Sequence, residues 1–285
     1  MTPDPPDETP NPEPGATAGV PEPRRTVRLL NVDVDDITMD DLLALRHGSF
    51  ITVHTDMMRL FQRDRGFHRL LDEYDLVTCD SQILTWAARL LGTPVRERVS
   101  GSDYFPRFYH RYADDPSVRI FLCGAKPGVA DRARDRINAA VGREIVVGTD
   151  SPPFGFEDDP AEVDRVIQKI DASGATVLVV GLGAPKQDRF IHTHRHRLPG
   201  VELFMPLGGT IDYEAGEVSR PPGWVTDLGL EWAARIVDDP RARWRRYLVE
   251  QPPVLWQLVK QRFGRYRDPW ADEPGSTPAA PGAGR

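Results

Sequence analysis

Gly181-Leu182-Gly183-Ala184-Pro185-Lys186-Gln187-Asp188 is the stretch from which the fold can be read. Ahead of it, Ala175 to Val180 is β-branched and apolar, the pattern of a strand buried on both faces. Behind it, Asp188 to Arg197 reads as a helix stopped by Pro199-Gly200. A strand, a glycine turn and a helix N-terminus together expose backbone N–H groups to a phosphate. Gly181 and Gly183 permit close backbone approach, and Lys186 adds a positive charge. The stretch lacks the third glycine of the dinucleotide fingerprint and the spacing of a P-loop. Taken alone it is equally compatible with an ordinary tight turn.

The same alternation extends in both directions. Strands are expected at Thr26–Val34, Ser49–Val53, Leu76–Cys79, Val118–Cys123, Glu144–Val147 and Val201–Met205. Between them, Thr38-Met39-Asp40-Asp41 reads as a capped helix start, and helices are expected over Asp56–Arg63, Gln82–Leu91 and Pro160–Ala172. In the second of these, Ile83, Leu84, Ala87 and Leu90 recur at helical spacing as the inward face. A further glycine turn, Gly124 to Gly128, precedes a helix running to Ala140, so a ligand could lie between two such turns. The expected fold is α/β: a mostly parallel, Rossmann-like sheet with helices on both faces. Ligands of such sheets bind outside the carboxyl ends of the strands, where Thr52, Asp80, Gly124 and Gly181 fall.

The chain has 285 residues. Residues 1–25 are dense in Pro and acids, and residues 268–285 in Pro, Gly and Ala; both read as disordered tails. Residues 26–223 form the α/β core, and residues 224–267 a helical, basic C-terminal appendage. In that appendage Val254–Arg265 is expected to be an amphipathic helix with Leu255, Leu258, Val259 and Phe263 on one face. Residues 241–267 hold seven arginines and one lysine against a single acid, Glu250, in a chain whose net charge is −7. A basic end on an acidic body suggests an anionic surface or ligand there. The alternating units precede it, so a chain ending at Asp239 is expected to fold. No apolar run approaches the ~20 residues needed to span a bilayer. A secretory leader is not recognisable, and Cys79 and Cys123 read as small core residues, which suits a reducing cytoplasm.

Two metal-like patterns have ordinary readings. Asp33-Val34-Asp35 lies just ahead of a helix cap, and His192 with His196 at i, i+4 reads as a solvated helix end. No metal site is expected.

Several stretches carry a resemblance when taken in order. They are Thr52-Val-His-Thr-Asp56, Cys79-Asp80-Ser81-Gln82, Glu97-Arg98-Val-Ser-Gly101, Phe121-Leu-Cys-Gly124, the 181–188 turn, Gly208-Gly209 with Asp212, and Glu231-Trp232 with Arg235. Together they resemble the WecG/TagA/CpsF glycosyltransferases, glycosyltransferase family 26, over residues 27–250. The resemblance implies inverting, metal-independent transfer of a sugar, often N-acetylmannosamine, from a UDP-sugar to a polyprenyl-diphosphate-linked acceptor. It places the enzyme peripherally on the inner face of the cell membrane, in cell-surface polysaccharide or teichoic-acid-type synthesis, with no nucleic-acid partner. Asp80 matches the family's proposed base, Thr52 and Arg98 two other active-site positions, and Gln187 the motif glutamine. Three positions depart from the usual residues: His54 for Asn, Ser81 for Gly and Asp188 for Glu. The first bears on which sugar or acceptor is read.

Single displacement needs a base for the acceptor hydroxyl, and Asp80 at a strand end can serve. Its competing reading is a helix N-cap ahead of Gln82. Charge on the departing UDP would fall to helix N-terminal amides and to Arg235, Arg241, Arg243 and Arg245. His54, Gly124, Gly181, Gly183, Pro185, Lys186, Gln187, Gly208, Gly209 and Asp212 complete the expected substrate contacts. One rival is an NAD-dependent oxidoreductase, for which Glu202 would be the acid past the glycine turn. The other is a non-catalytic nucleotide-sugar-binding protein.

Overall fold

The computed structural model describes residues 24–218 and 251–271. Six parallel strands form the central sheet in the order β4-β3-β8-β7-β5-β6. They are β3 (Gly48–Val53), β4 (Leu76–Cys79), β5 (Ile120–Gly124), β6 (Val146–Asp150), β7 (Val177–Gly181) and β8 (Leu203–Pro206). Ahead of them the expected first strand, Thr26–Val34, is a separate antiparallel hairpin, β1 (Thr26–Leu29) and β2 (Val32–Asp35). Leu30 has φ of 54°, so the backbone turns back at Leu30-Asn31 instead of continuing extended.

Period-two alternation divides the sheet's side chains between two cores. Ile120, Leu122, Val177, Val179, Leu203 and Met205 point to one face. There they meet helices α1 (Met39–Leu43), α5 (Gly101–Arg111), α6 (Val129–Val141) and α9 (Thr210–Ala215). Phe121, Cys123, Leu178, Val180 and Phe204 point the other way, against α7 (Pro160–Ala172) and α8 (Lys186–His194). At the β4 edge of this second face, Ile51, Val53, Val77 and Cys79 pack with α2 (Thr55–Phe61), α4 (Gln82–Leu91) and the hairpin. The helix starts follow local chemistry: Thr38 and Asp41 form a reciprocal capping box on α1, and Asp159 caps α7 ahead of Pro160.

Two expectations are corrected on the helices. On α4, Leu84, Thr85 and Ala88 are buried while Leu90 is 58% exposed, because the inward stripe is turned by one position. The C-terminal helix, α10 (Pro252–Arg262), packs through Val254 and Leu258 into the same core as the hairpin, leaving Leu255 and Phe263 exposed. Gln261 is its polar clamp: its Oε1 accepts from Leu30 N–H at 2.8 Å and its Nε2 donates to the Arg28 carbonyl at 3.0 Å. Residues 268–271, expected in a tail, are docked: Arg28 pairs with Asp268, and Trp270 Nε1 donates to the Phe61 carbonyl. Arg25 likewise pairs with Asp36. No helix among the described residues is long and apolar enough to cross a membrane.

Candidate active site

A cavity of about 670 Å³ opens over the carboxyl ends of β3, β4 and β8 and the turn after β7. In a parallel sheet all strand ends of one sense lie on one side, which collects their loops there. Thr52 and His54 come from the end of β3, Asp80 from β4, Gly183, Ala184, Pro185 and Gln187 from the 181–188 turn, and Gly208, Gly209 and Asp212 from the segment after β8. Helices α8 and α9 both begin on this wall, directing the positive ends of their dipoles toward it.

Asp80 sits one residue past β4, its N–H donating to the Val53 carbonyl at 2.9 Å. The expected competitor role belongs to its neighbour: Ser81 is the N-cap of α4, accepting from Leu84 N–H. Arg98 is brought in because Val99 N–H donates to the Cys79 carbonyl at 2.9 Å, tying residues 97–101 to the end of β4. Arg98 Nη1 then lies 3.4 Å from Asp80 Oδ1, and Gly101 N–H lies 3.4 Å from Oδ2. Gly101 packs closely here: a Cβ would stand 2.9 Å from Leu207 Cδ2 and 3.2 Å from Thr52 Oγ1, so both side chains would have to shift. Glycine is what lets α5 start directly over Thr52.

Gln187 is buried and both its carboxamide oxygen and its nitrogen are hydrogen-bonded. Oε1 accepts from Gly183 N–H at 3.1 Å and Gly208 N–H at 3.0 Å, and Nε2 donates to the Pro206 carbonyl at 3.0 Å. It therefore crosslinks the two glycine turns on the cavity wall. Gly124 and Gly181, expected to flank a ligand, pack on their neighbours instead. A Cβ on Gly124 would stand 2.5 Å from the Gly181 carbonyl oxygen, and one on Gly181 2.8 Å from that of Gly208. Their glycines let three turns stack, and the cavity wall begins at Gly183. Lys186 also turns away: it pairs with Glu157, with its Nζ 4.1 Å from the Phe154 ring centre.

Other expected residues are placed as follows. His54 is the N-cap position of α2, with Nδ1 3.7 Å from Asp56 Oδ2. Asp212 is half-buried, and burial raises its carboxyl above the usual range. His192 is not solvated: its side chain is 3% exposed, Nδ1 lies 3.0 Å from Glu73 Oε2, and burial lowers its pKa. Asp33 pairs with Arg28, and Asp35 accepts from Val77 N–H. No group of three or more potential metal ligands converges among the described residues. Arg235, Arg241, Arg243 and Arg245, with the Glu231-Trp232 motif, lie outside the described residues.

The cavity wall also includes Asp56, Arg59, Ser100, Ser102 and Tyr213. Asp56 and Ser100 fall within quoted motifs, but nothing local distinguishes a cavity-facing polar residue from a solvated one. The acid required by the oxidoreductase reading is absent from the wall. Glu202 precedes β8 at the amino edge of the sheet, near His47.

The comparisons with known proteins agree with this architecture. A profile of the glycosyl transferase WecG/TagA/CpsF family matches residues 27–268. One relative, the N-acetylglucosaminyldiphosphoundecaprenol N-acetyl-beta-D-mannosaminyltransferase of Bacillus spizizenii, is 33% identical over 217 residues, 75% of this chain and 80% of that protein. The Bacillus subtilis protein of the same name is 29% identical over 211 residues, 74% of this chain and 79% of its own. A cavity at the strand ends, a match over residues 27–268 and relatives aligned over most of their own length lead to one conclusion: this chain belongs to the WecG/TagA/CpsF family of glycosyltransferases.

Proposed function

We propose that the protein transfers N-acetylmannosamine from UDP to N-acetylglucosamine on a polyprenyl diphosphate, by a single displacement with inversion and without a metal ion. The observation that carries this reading is the Asp80–Arg98 pair, set in a cavity where the glycine turns and two helix N-termini converge. The names of both relatives supply the acceptor and the sugar.

Asp80 takes the proton of the acceptor hydroxyl as its oxygen attacks the anomeric carbon; the bond from that carbon to the diphosphate breaks and UDP departs. Thr52 lines the cavity beside Asp80 and contacts the acceptor hydroxyl or the reacting sugar. Negative charge on the departing diphosphate is met by the N-terminal ends of α8 and α9. On charge alone we assign Arg235, Arg241, Arg243 and Arg245 to the same anion. Two of the three carboxylates on the wall have basic or amide partners: Asp80 has Arg98, and Asp56 accepts from Gln251 Nε2. This supports a donor held by amides and guanidinium groups. We place the reaction at a membrane surface, because the acceptor in the relatives' names is lipid-linked, and at the inner face, because a nucleotide-sugar donor is an intracellular metabolite.

The test is UDP release and product formation by the full chain, with a panel of UDP-sugars and a short-chain polyprenyl-diphosphate N-acetylglucosamine. UDP-N-acetylmannosamine should turn over, equally with and without EDTA. Asp80→Asn should keep UDP binding and lower kcat by roughly 10²–10⁴. Restoration of an EDTA-treated enzyme by manganese would refute the metal-free mechanism, and near-normal turnover of the Asp80 variant would remove the base.

A further inference from the structure

Arg98 does not serve Asp80 alone. Its second terminal nitrogen, Nη2, lies 3.1 Å from Asp103 Oδ2, while Nη1 lies 3.4 Å from Asp80 Oδ1. The guanidinium is a planar fork with donors fixed in direction, so two carboxylates at its two tips hold it in one orientation. Its side chain is 15% exposed, which limits screening by solvent. Asp103 lies in the first turn of α5, and Gly101 at the start of that helix offers its N–H to the other oxygen of Asp80. One short segment, 98–103, thus delivers a cation, an amide donor and a counter-charge to a single carboxylate.

From this juxtaposition we propose that Asp103 is a positioning residue for the transfer reaction: it orients Arg98 and takes up part of its charge, so that Asp80 remains basic enough to accept the acceptor's proton. The proposal rests on Asp80 as the base. With both carboxylates present, the guanidinium charge is divided between them. With Asp103 neutral, more of that charge falls on Asp80, which binds its proton less tightly. The ordinary role for an acid in a first helical turn is to complement the helix dipole, and that role needs no arginine. The two roles are separable because only one of them runs through Arg98. Among the described residues, the other charged or titratable groups on or under the cavity wall are His54, Asp56 and Arg59 at α2, Asp212 and Tyr213 on α9, and the buried Cys79 thiol beneath Asp80 and Arg98. None of these is altered in the comparison below.

The experiment is a double-mutant cycle in the full chain with Asp103→Asn and Arg98→Gln, read as kcat and KM for UDP-N-acetylmannosamine across pH. Asp103→Asn in the native background should lower kcat about tenfold, with KM within a factor of about two. The acid limb of its kcat profile should move to lower pH. In the Arg98→Gln background the same change should cost little and leave the limb in place. Asp103→Glu, which keeps the charge, should recover most of the activity. An equal loss in both backgrounds, or a loss with an unmoved acid limb, would show a helix-capping role and overturn the proposal. Should Asp103→Asn fail to fold, a second pair of variants remains. Asp103→Ser then takes its place in the cycle with Arg98→Lys: a loss and limb shift confined to the Arg98 background supports the bridge, and an equal loss in both backgrounds refutes it. If Asp80→Asn keeps full turnover, the base assignment falls by its own measurement, whatever the cycle reports.

Discussion

Asp188 shows how one buried side chain carries a cost that only its surroundings explain. It is fully buried on α8, accepts from Tyr74 Oη at 2.8 Å through Oδ1, and its Oδ2 has no partner among the described residues. Burial pushes its carboxyl up to about 6, against the lowering effect of the Tyr74 hydrogen bond. The folded value lies above that of an unfolded aspartate, so the folded state binds the extra proton. Stability is therefore highest when Asp188 is neutral and falls as pH rises from ~4 through ~6, with a full cost of about 3 kcal/mol above that window. Asp188→Asn keeps the acceptor for Tyr74 and removes the charge. It should raise Tm at pH 7.5 and leave it nearly unchanged at pH 4, measured by thermal melts at both values. A gain of equal size at both would mean that packing, and not ionisation, sets the cost.

At the scale of elements, α10 changes what the C-terminus is. Val254 and Leu258 each contribute roughly 1.5–3 kcal/mol by burial against the hairpin and α4. Loss of Gln261 would also leave the Leu30 N–H without its acceptor, at a cost of ~1–3 kcal/mol. A chain cut at Asp239, expected from the alternating pattern to fold, should instead melt well below the full chain or aggregate. Circular dichroism melts of the two proteins decide it, and equal Tm values would show that α10 adds nothing. The α5 helix is the opposite case, an element hidden by its own sequence. Tyr104, Phe105, Phe108 and Tyr109 form a buried stripe at helical spacing, but Gly101 at the start and Pro106 within break the local helix signal. The apolar face decides the outcome, because packing of four aromatic rings outweighs the propensity penalty.

For the whole molecule, the basic and apolar residues that α10 leaves outside support the proposed membrane contact. Trp256 is 60% and Phe263 71% exposed, and Lys260, Arg262, Arg265 and Arg267 accompany them in the chain. Trp86 and Leu90 are exposed on α4, which packs against α10. Rings settle at the headgroup level, and each basic residue near an anionic leaflet contributes about 1 kcal/mol. Full-length protein should co-sediment with anionic liposomes, less so at high salt, where charges are screened beyond ~3 Å at 1 M. Trp256→Ser with Phe263→Ser should weaken sedimentation while leaving Tm close to the parent, since both rings are exposed. Unchanged sedimentation of the double variant would place the anchor elsewhere.

Much of the architecture was legible in residue order. Pro160–Ala172 is a helix over its whole expected length, Leu76–Cys79 is a strand, and the Thr38–Asp41 cap is formed, because these depend on neighbours in the chain. The family follows from motifs that are themselves local. What the residue order left open is which loops meet and which partner each side chain takes. Thr52, Asp80 and Gly208 share a cavity because parallel pairing gathers strand ends, whereas Gly124 is walled off by the Gly181 carbonyl. Lys186 turns toward Glu157, 29 residues earlier, Gln187 toward Gly208, 21 residues later, and His192 toward Glu73, 119 residues away. Burial, charge pairing and hydrogen-bond satisfaction are settled between residues distant in the chain, and periodicity within a segment carries no information about which distant group arrives.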